Sequence, residues 1–143
     1  RNFIQAHELA PFPPAAGRYC LIVSYACPWA SRCLAFRRVK GLEEAIPVFI
    51  VSPVWARTKP DVDDHEGWVF DPEYPGATAA PECFNANGVS VRTVRDVYDV
   101  AIARYAAANP EAPPITTRYT VPILFDTHTL SIVNNESSEI IRM

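Results

Sequence analysis

No run of apolar residues is long enough to cross a membrane as a helix. Basic charge is not in excess either: 13 basic residues against 16 acidic ones leave a mildly acidic formal −3, which gives no general attraction to nucleic acid. The four cysteines, Cys20, Cys27, Cys33 and Cys83, lack paired metal spacing, and His7, His65 and His128 are scattered. A structural zinc site is therefore not expected. There is no Cys-x-x-Cys, because Ala30 stands third after Cys27. The chain is neither small nor cysteine-dense, so reduced thiols in an intracellular setting are expected rather than a disulfide framework. Internal repeats and low-complexity tracts are absent. The opening Arg1-Asn2-Phe3-Ile4 has no signal-peptide core. The end, Ile140-Ile141-Arg142-Met143, stops inside an apolar pattern. Both ends read as cut, and a piece of a longer protein is the expectation. A cytoplasmic location is expected, or an organelle (plastid or mitochondrion) should a transit peptide precede Arg1.

The length of 143 residues, nearly half of them hydrophobic, suits one ordinary domain with a real core. Residues 1–18 form a lead-in in which Pro11, Pro13 and Pro14 exclude a regular helix, with Phe3, Ile4 and Phe12 placed to pack on the domain, residues 19–143. The apolar run from Tyr19 to Tyr25 predicts a buried strand. A helix follows from about Pro28 to Lys40, with Trp29, Ala30, Cys33, Leu34, Phe36 and Val39 as its apolar face. Arg32, Arg37, Arg38 and Lys40 face outward, and Gly41 suits its end. Ala45 to Val51 predicts a second strand. The 52–90 stretch reads as long and irregular, with five prolines, although Trp55, Trp68, Phe70, Tyr74 and Phe84 argue against disorder. Val91 to Ala108 predicts a helix capped by Ser90. Val121 to Asp126 and Ser131 to Val133 predict a hairpin, and a last helix starts within 134–139. Strand, helix, strand, helix, strand, strand, helix is an α/β order, with a mixed four-stranded sheet flanked by helices, parallel in its first half and antiparallel in its second.

Three places carry chemistry. Cys27 ends the first strand just before Pro28, which suits the first turn of a helix. A helix N-terminus favours the thiolate, the reactive form of cysteine; the alternative is a small buried apolar residue. The element order is the thioredoxin-like one, which expects a proline before the third strand, and Thr120-Val121-Pro122 stands there. A cis Val121–Pro122 bond would leave the Val121 backbone to pair with a peptide-like ligand, against an ordinary trans proline at a strand start. Glu136 and Ser137, at the start of the last helix, suit an amino-acid head group: Ser137 and free N–H groups for its carboxylate, Glu136 for its ammonium. Plain capping by Asn134, Asn135 or Ser137 is the alternative.

These segments together resemble the glutathionyl-hydroquinone reductases, the Xi-class glutathione transferases related to the omega class. The resemblance is carried by Gly17-Arg18-Tyr19, Ser24-Tyr25-Ala26-Cys27-Pro28-Trp29-Ala30, Gly67-Trp68, Thr120-Val121-Pro122 and the segment from Ile132 to Met143, and it runs from about Phe12 to Met143. It implies a thioredoxin-like domain normally followed by an all-helical one, absent from this chain, that supplies most of the aromatic pocket and the dimer contacts. It implies Cys27 as the catalytic cysteine and Trp68 packing on glutathione. Arg118 would reach its glycyl end, Val121 its cysteinyl backbone, and Glu136 with Ser137 its γ-glutamyl end. Pro122 would be the cis-proline. Glutathione is then a co-substrate, no metal is needed, and an aromatic hydroquinone is the other partner. A homodimer is implied for the full-length protein, with neither nucleic acid nor membrane as a partner.

The sequence departs from the family at Ser31, where histidine is common, and at Tyr119, where valine is frequent. Extra residues stand around Ala56 to Glu66 and before Val91, which makes Trp55 a rival to Trp68. Two further functions share the same residues. One is an omega-like thioltransferase or dehydroascorbate reductase using Cys27; the other is a glutathione-binding fragment without turnover.

Overall fold

A computed structural model describes residues 2–7 and 9–143. Arg1 and Glu8 of the expected lead-in lie outside the described residues. The first strand, β1 (Tyr19–Val23), is buried along its whole length, as expected of an apolar run at the centre of a sheet. It pairs in parallel with β2 (Val48–Ile50), and antiparallel with β5 (Ile123–Asp126). β5 in turn pairs antiparallel with β6 (Ser131–Asn134), giving the sheet order β2-β1-β5-β6. This is the mixed sheet, half parallel and half antiparallel, of a thioredoxin-like fold.

Alternation along the strands divides the core between two faces. On one face Leu21, Leu124, Cys33 and Phe36 of α1 (Pro28–Val39), Ile140 of α4 (Ser137–Ile140), and Ile141 and Met143 beyond it line one apolar cavity. On the other, Phe125 packs against Phe84 of α2 (Glu82–Ala86), ring centroids 5.1 Å apart. Val94, Val97 and Tyr98 of α3 (Val94–Ala108) close that side. The lead-in is laid on the domain: the Asn2 N–H donates to the Val133 carbonyl at 2.8 Å, and Phe12 is buried with Tyr19, Leu124 and Val133. Ile4 packs there too, while Phe3 stays 40% exposed.

Several boundaries differ from the sequence reading. The third helix starts three residues later, because Thr93 makes the stronger cap. Its hydroxyl accepts from the Asp96 N–H at 3.1 Å while the Asp96 carboxylate accepts from the Thr93 N–H at 2.8 Å, a reciprocal capping box. The 52–90 stretch is not irregular throughout: it holds α2 and a short hairpin, β3 (Ala56–Arg57) with β4 (Glu66–Gly67). The outer apolar residues of α1 are not covered, with Trp29, Phe36 and Val39 at 58%, 41% and 83% exposure. Arg37 turns back rather than outward, donating to the carbonyls of Ile46 at 2.5 Å and Glu43 at 2.7 Å. That binds the end of α1 to the loop before β2, after Gly41 has turned the chain at φ 65°.

At the far end of β5 sits Asp126, whose side chain is fully buried. Arg18 grips it with Nε at 3.1 Å from both oxygens and Nη2 at 2.6 Å from Oδ2. The His128 N–H and the Thr129 hydroxyl add bonds of 3.0 and 2.9 Å. Burial pushes this carboxyl up, but the hydrogen bonds from Arg18, His128 and Thr129 outweigh it and hold it below the ordinary value. Its contribution to stability is therefore complete above an unfolded value of about 4 and is lost as pH falls through the lower folded value. Asp126→Ala is expected to cost about 3–5 kcal/mol, the range for removing one partner of a buried pair, measured by urea denaturation at neutral pH. The gap between variant and wild type should narrow in acid; a gap that stays constant down to pH 2 would contradict this account.

Candidate functional site

The pairing of Ile22 with Ile123 brings the end of β1 beside the start of β5. The chain leaving β1 turns at Ser24 and enters α1 through Cys27, the N-cap residue, in extended conformation (φ −99°, ψ 113°) with Pro28 following. The Cys27 carbonyl starts the helix by accepting from the Ser31 N–H at 3.1 Å and its hydroxyl at 3.3 Å. Its side chain, 9% exposed, makes no capping bond to the helix. The thiol lies 3.4 Å from the carbonyl oxygen of Val121, to which it donates. The Val121–Pro122 peptide bond is cis.

Cys20 and Cys33 are buried, as Cys27 is, and Cys83 is half-buried, but none of these three stands at a helix N-cap. Burial pushes Cys33 up to about 12, and its sulfur lies 3.9 Å from the Ser137 carbonyl. Burial likewise raises Cys20 inside β1 and Cys83 in α2. Each is held as a thiol near neutral pH, and a thiol is a poor nucleophile.

Glu136 and Ser137 come to α1 from the far edge of the sheet. Ser137, 2% exposed, accepts through its hydroxyl from Arg32 Nη1 at 3.3 Å. Arg32, read from sequence as a solvated charge, instead lies across the start of α4 with its guanidinium over Trp29, 5.0 Å from the ring centre. No spacing rule marks it, because the contact spans 105 residues of chain. The capping alternative also changes: Glu136 itself is the N-cap, its carboxylate accepting from the Ser138 N–H at 3.3 Å and hydroxyl at 3.2 Å. Asn134 supports it from behind, accepting from the Glu136 N–H at 2.8 Å.

Trp68 and its rival Trp55 meet each other edge to face, 5.4 Å apart at 85°. Trp68 is half-buried and packs on the core, and its carbonyl receives the N–H of Val94 at 3.0 Å; Trp55 is 56% exposed. The two are parts of one aromatic surface. Arg118 is exposed, and its guanidinium makes no hydrogen bond or ion pair with the described residues. The neighbouring Tyr119 is fastened, with His65 at 5.2 Å and Tyr98 at 5.7 Å edge to face, and the Arg95 guanidinium 5.4 Å from its ring centre. The structure thus joins Cys27 to Val121 and Arg32 to Ser137 directly, while Trp68 and Arg118 stand on flanking segments.

A mixed sheet ordered β2-β1-β5-β6, with a cysteine at the N-cap position of its first helix beside a cis-proline loop, defines a thioredoxin-like domain. Residues 26–143 match the family described as Glutathione S-transferase, N-terminal domain, and the chain belongs to that family. It is 38% identical over 150 residues to the glutathionyl-hydroquinone reductase YqjG of Escherichia coli, covering all of this chain and 38% of that protein. The Xi-class transferase structure from Natrialba magadii aligns with a TM-score of 0.78 at 44% identity, over all of this chain and 37% of that one. The glutathione-bound structure of YqjG aligns with a TM-score of 0.74 at 35% identity, over the whole chain and 41% of the other. The chain therefore spans about two fifths of the length of the relatives it matches.

Cys27 is expected to be alkylated ahead of Cys20, Cys33 and Cys83 when the reagent is limiting near neutral pH. Peptide mass spectrometry reads the order, and earlier labelling of any of the other three would contradict the assignment.

Proposed function

We propose that this chain is the glutathione-holding part of an enzyme that reduces glutathionyl-hydroquinones through a single cysteine. The observation that carries the reading is the setting of Cys27: an N-cap thiol at 3.4 Å from the Val121 carbonyl, beside the cis Val121–Pro122 bond. Glutathione is held along the loops that converge there. Val121 pairs through its backbone with the cysteinyl unit. Glu136 and Ser137 receive the γ-glutamyl end, with Arg32 adding a positive charge beside its carboxylate. Arg118 meets the glycyl carboxylate, and Trp68 with Trp55 supplies an apolar wall.

The Cys27 thiolate attacks the glutathione sulfur of the substrate. A sulfur–sulfur bond forms and the sulfur–aryl bond breaks; its electron pair goes to the ring carbon, which takes a proton and leaves as hydroquinone. A second glutathione thiolate attacks the mixed disulfide, releasing oxidised glutathione and restoring Cys27. Ala30 at the place of a second cysteine fits this route, since the resolving thiol comes from solution.

Two measurements test the proposal, both on the protein at its natural length. Cys27→Ala should abolish turnover of a glutathionyl-hydroquinone, and Cys27→Ser nearly so, because an alkoxide is scarcely available at neutral pH; retained turnover rejects the cysteine mechanism. Faster turnover of a glutathionylated small thiol than of the hydroquinone conjugate would instead favour a thioltransferase. Calorimetric titration should show Glu136→Ala and Ser137→Ala weakening glutathione by roughly 1–3 kcal/mol, the range for a charge-assisted contact. Unchanged affinity with a lowered melting temperature would assign both residues to capping alone.

A further inference from the structure

Tyr98 lies in the second turn of α3 and is 3% exposed. Helical periodicity accounts for its ring, which faces the core and meets Tyr119 edge to face. It does not account for its hydroxyl. That oxygen donates to the Thr120 carbonyl at 3.1 Å, lies 3.3 Å from the Thr120 hydroxyl, and accepts from Asn135 Nδ2 at 2.9 Å. Thr120 directly precedes Val121, and Asn135 directly precedes Glu136. One oxygen, using both its donor and its acceptor capacity, therefore joins the Thr120 loop, whose next residue meets Cys27, to the Asn135 loop that leads into α4. A phenylalanine would fill the same space, so packing alone does not call for the oxygen.

The tie continues outward. Tyr119 is held by His65, and by Arg95, which grips Asp63 with two bonds of 2.7 Å. Lys59 reaches Asp99 on α3 at 2.5 Å. The hairpin formed by β3 and β4 is in this way anchored to the same helix that carries Tyr98.

We propose that Tyr98 is a positioning residue whose hydroxyl holds the Thr120–Val121 and Asn135–Glu136 segments at a fixed separation, so that one glutathione can engage both. The role rests on the glutathione reading above. A ligand that bridges two segments binds more tightly when their separation is set beforehand, because less order is imposed on binding.

The test uses wild type, Tyr98→Phe, Asn135→Ala and the double variant of the protein at its natural length. Hydrogen exchange is followed in peptides covering 118–122 and 134–138, and glutathione is titrated calorimetrically. Tyr98→Phe should speed exchange in both peptides and Asn135→Ala in the second. Asn135→Ala should weaken glutathione roughly 3- to 10-fold, as for one lost hydrogen bond, and Tyr98→Phe, which removes two, by at least as much. The double variant should lose no more than Tyr98→Phe alone, because both changes act through one oxygen. Unchanged exchange in both peptides overturns the proposal. So does a lowered melting temperature with unaltered glutathione affinity, which is what a purely structural tyrosine would give. Should Tyr98→Phe fail to fold, Asn135→Ala decides: unaltered affinity overturns the role. Absence of glutathione binding by wild type would remove the underlying reading and this role together, whereas normal wild-type binding with unaffected variants removes this role alone.

Discussion

The antiparallel pairing of β1 with β5, from Tyr19 opposite Asp126 to Ile22 opposite Ile123, is the constraint on which the site depends. Neighbouring strands lie about 4.8 Å apart, so whatever leaves β1 stands beside whatever enters β5. Cys27 and Val121 are 94 residues apart in the chain and in contact in space for that reason. A slip of one residue would turn each strand's side chains to the opposite face. The Arg18–Asp126 pair opposes such a slip at one end of the ladder, since a shifted register would leave a buried carboxylate without its partner. Fold stability and site geometry are thus set by the same ladder, the ion pair at one end and the cysteine at the other.

The strand that positions Cys27 also explains why the cysteines stand in different settings. Cys20 is part of β1 and is sealed from solvent with the rest of it. Cys33 lies one and a half turns further along α1, on the face turned to α4. Cys27 occupies the junction between these two environments. Its backbone is committed to starting a helix, while its sulfur, at the margin of the core, meets the carbonyl of a neighbouring loop. The difference among the thiols is one of position, not of local composition.

Around this junction the protein spends polar contacts on joining segments distant in sequence. Arg32 links α1 to α4, and Tyr98 links α3 to both the Thr120 and Asn135 loops. The 56–67 hairpin is fastened to α3 by Arg95 with Asp63 and by Lys59 with Asp99. Loops carry the candidate site residues, and loops are the mobile parts of a fold; bonds of this kind, which tie loop to helix, reduce that freedom.

The sequence by itself determined the elements whose signals are local. The apolar run of β1, the Pro28 start of α1, the hairpin turn after Asp126 and the order of strands and helices all follow from periodicity and from backbone chemistry within a few residues. Cys27 was legible for the same reason, as a cysteine at a strand-to-helix junction. Tertiary structure decided what depends on partners far along the chain. Thr93 rather than Ser90 caps α3, and Thr93 is also where that segment bridges to Val69. Trp29, Phe36 and Val39 fit a helical apolar face, but whether such a face is covered depends on what packs against it. Arg32 and Tyr98 look ordinary in sequence, a surface charge and a core ring. Their site contacts are hydrogen bonds across 105, 22 and 37 residues, and no local pattern encodes a bond whose two ends are brought together only by the folded sheet.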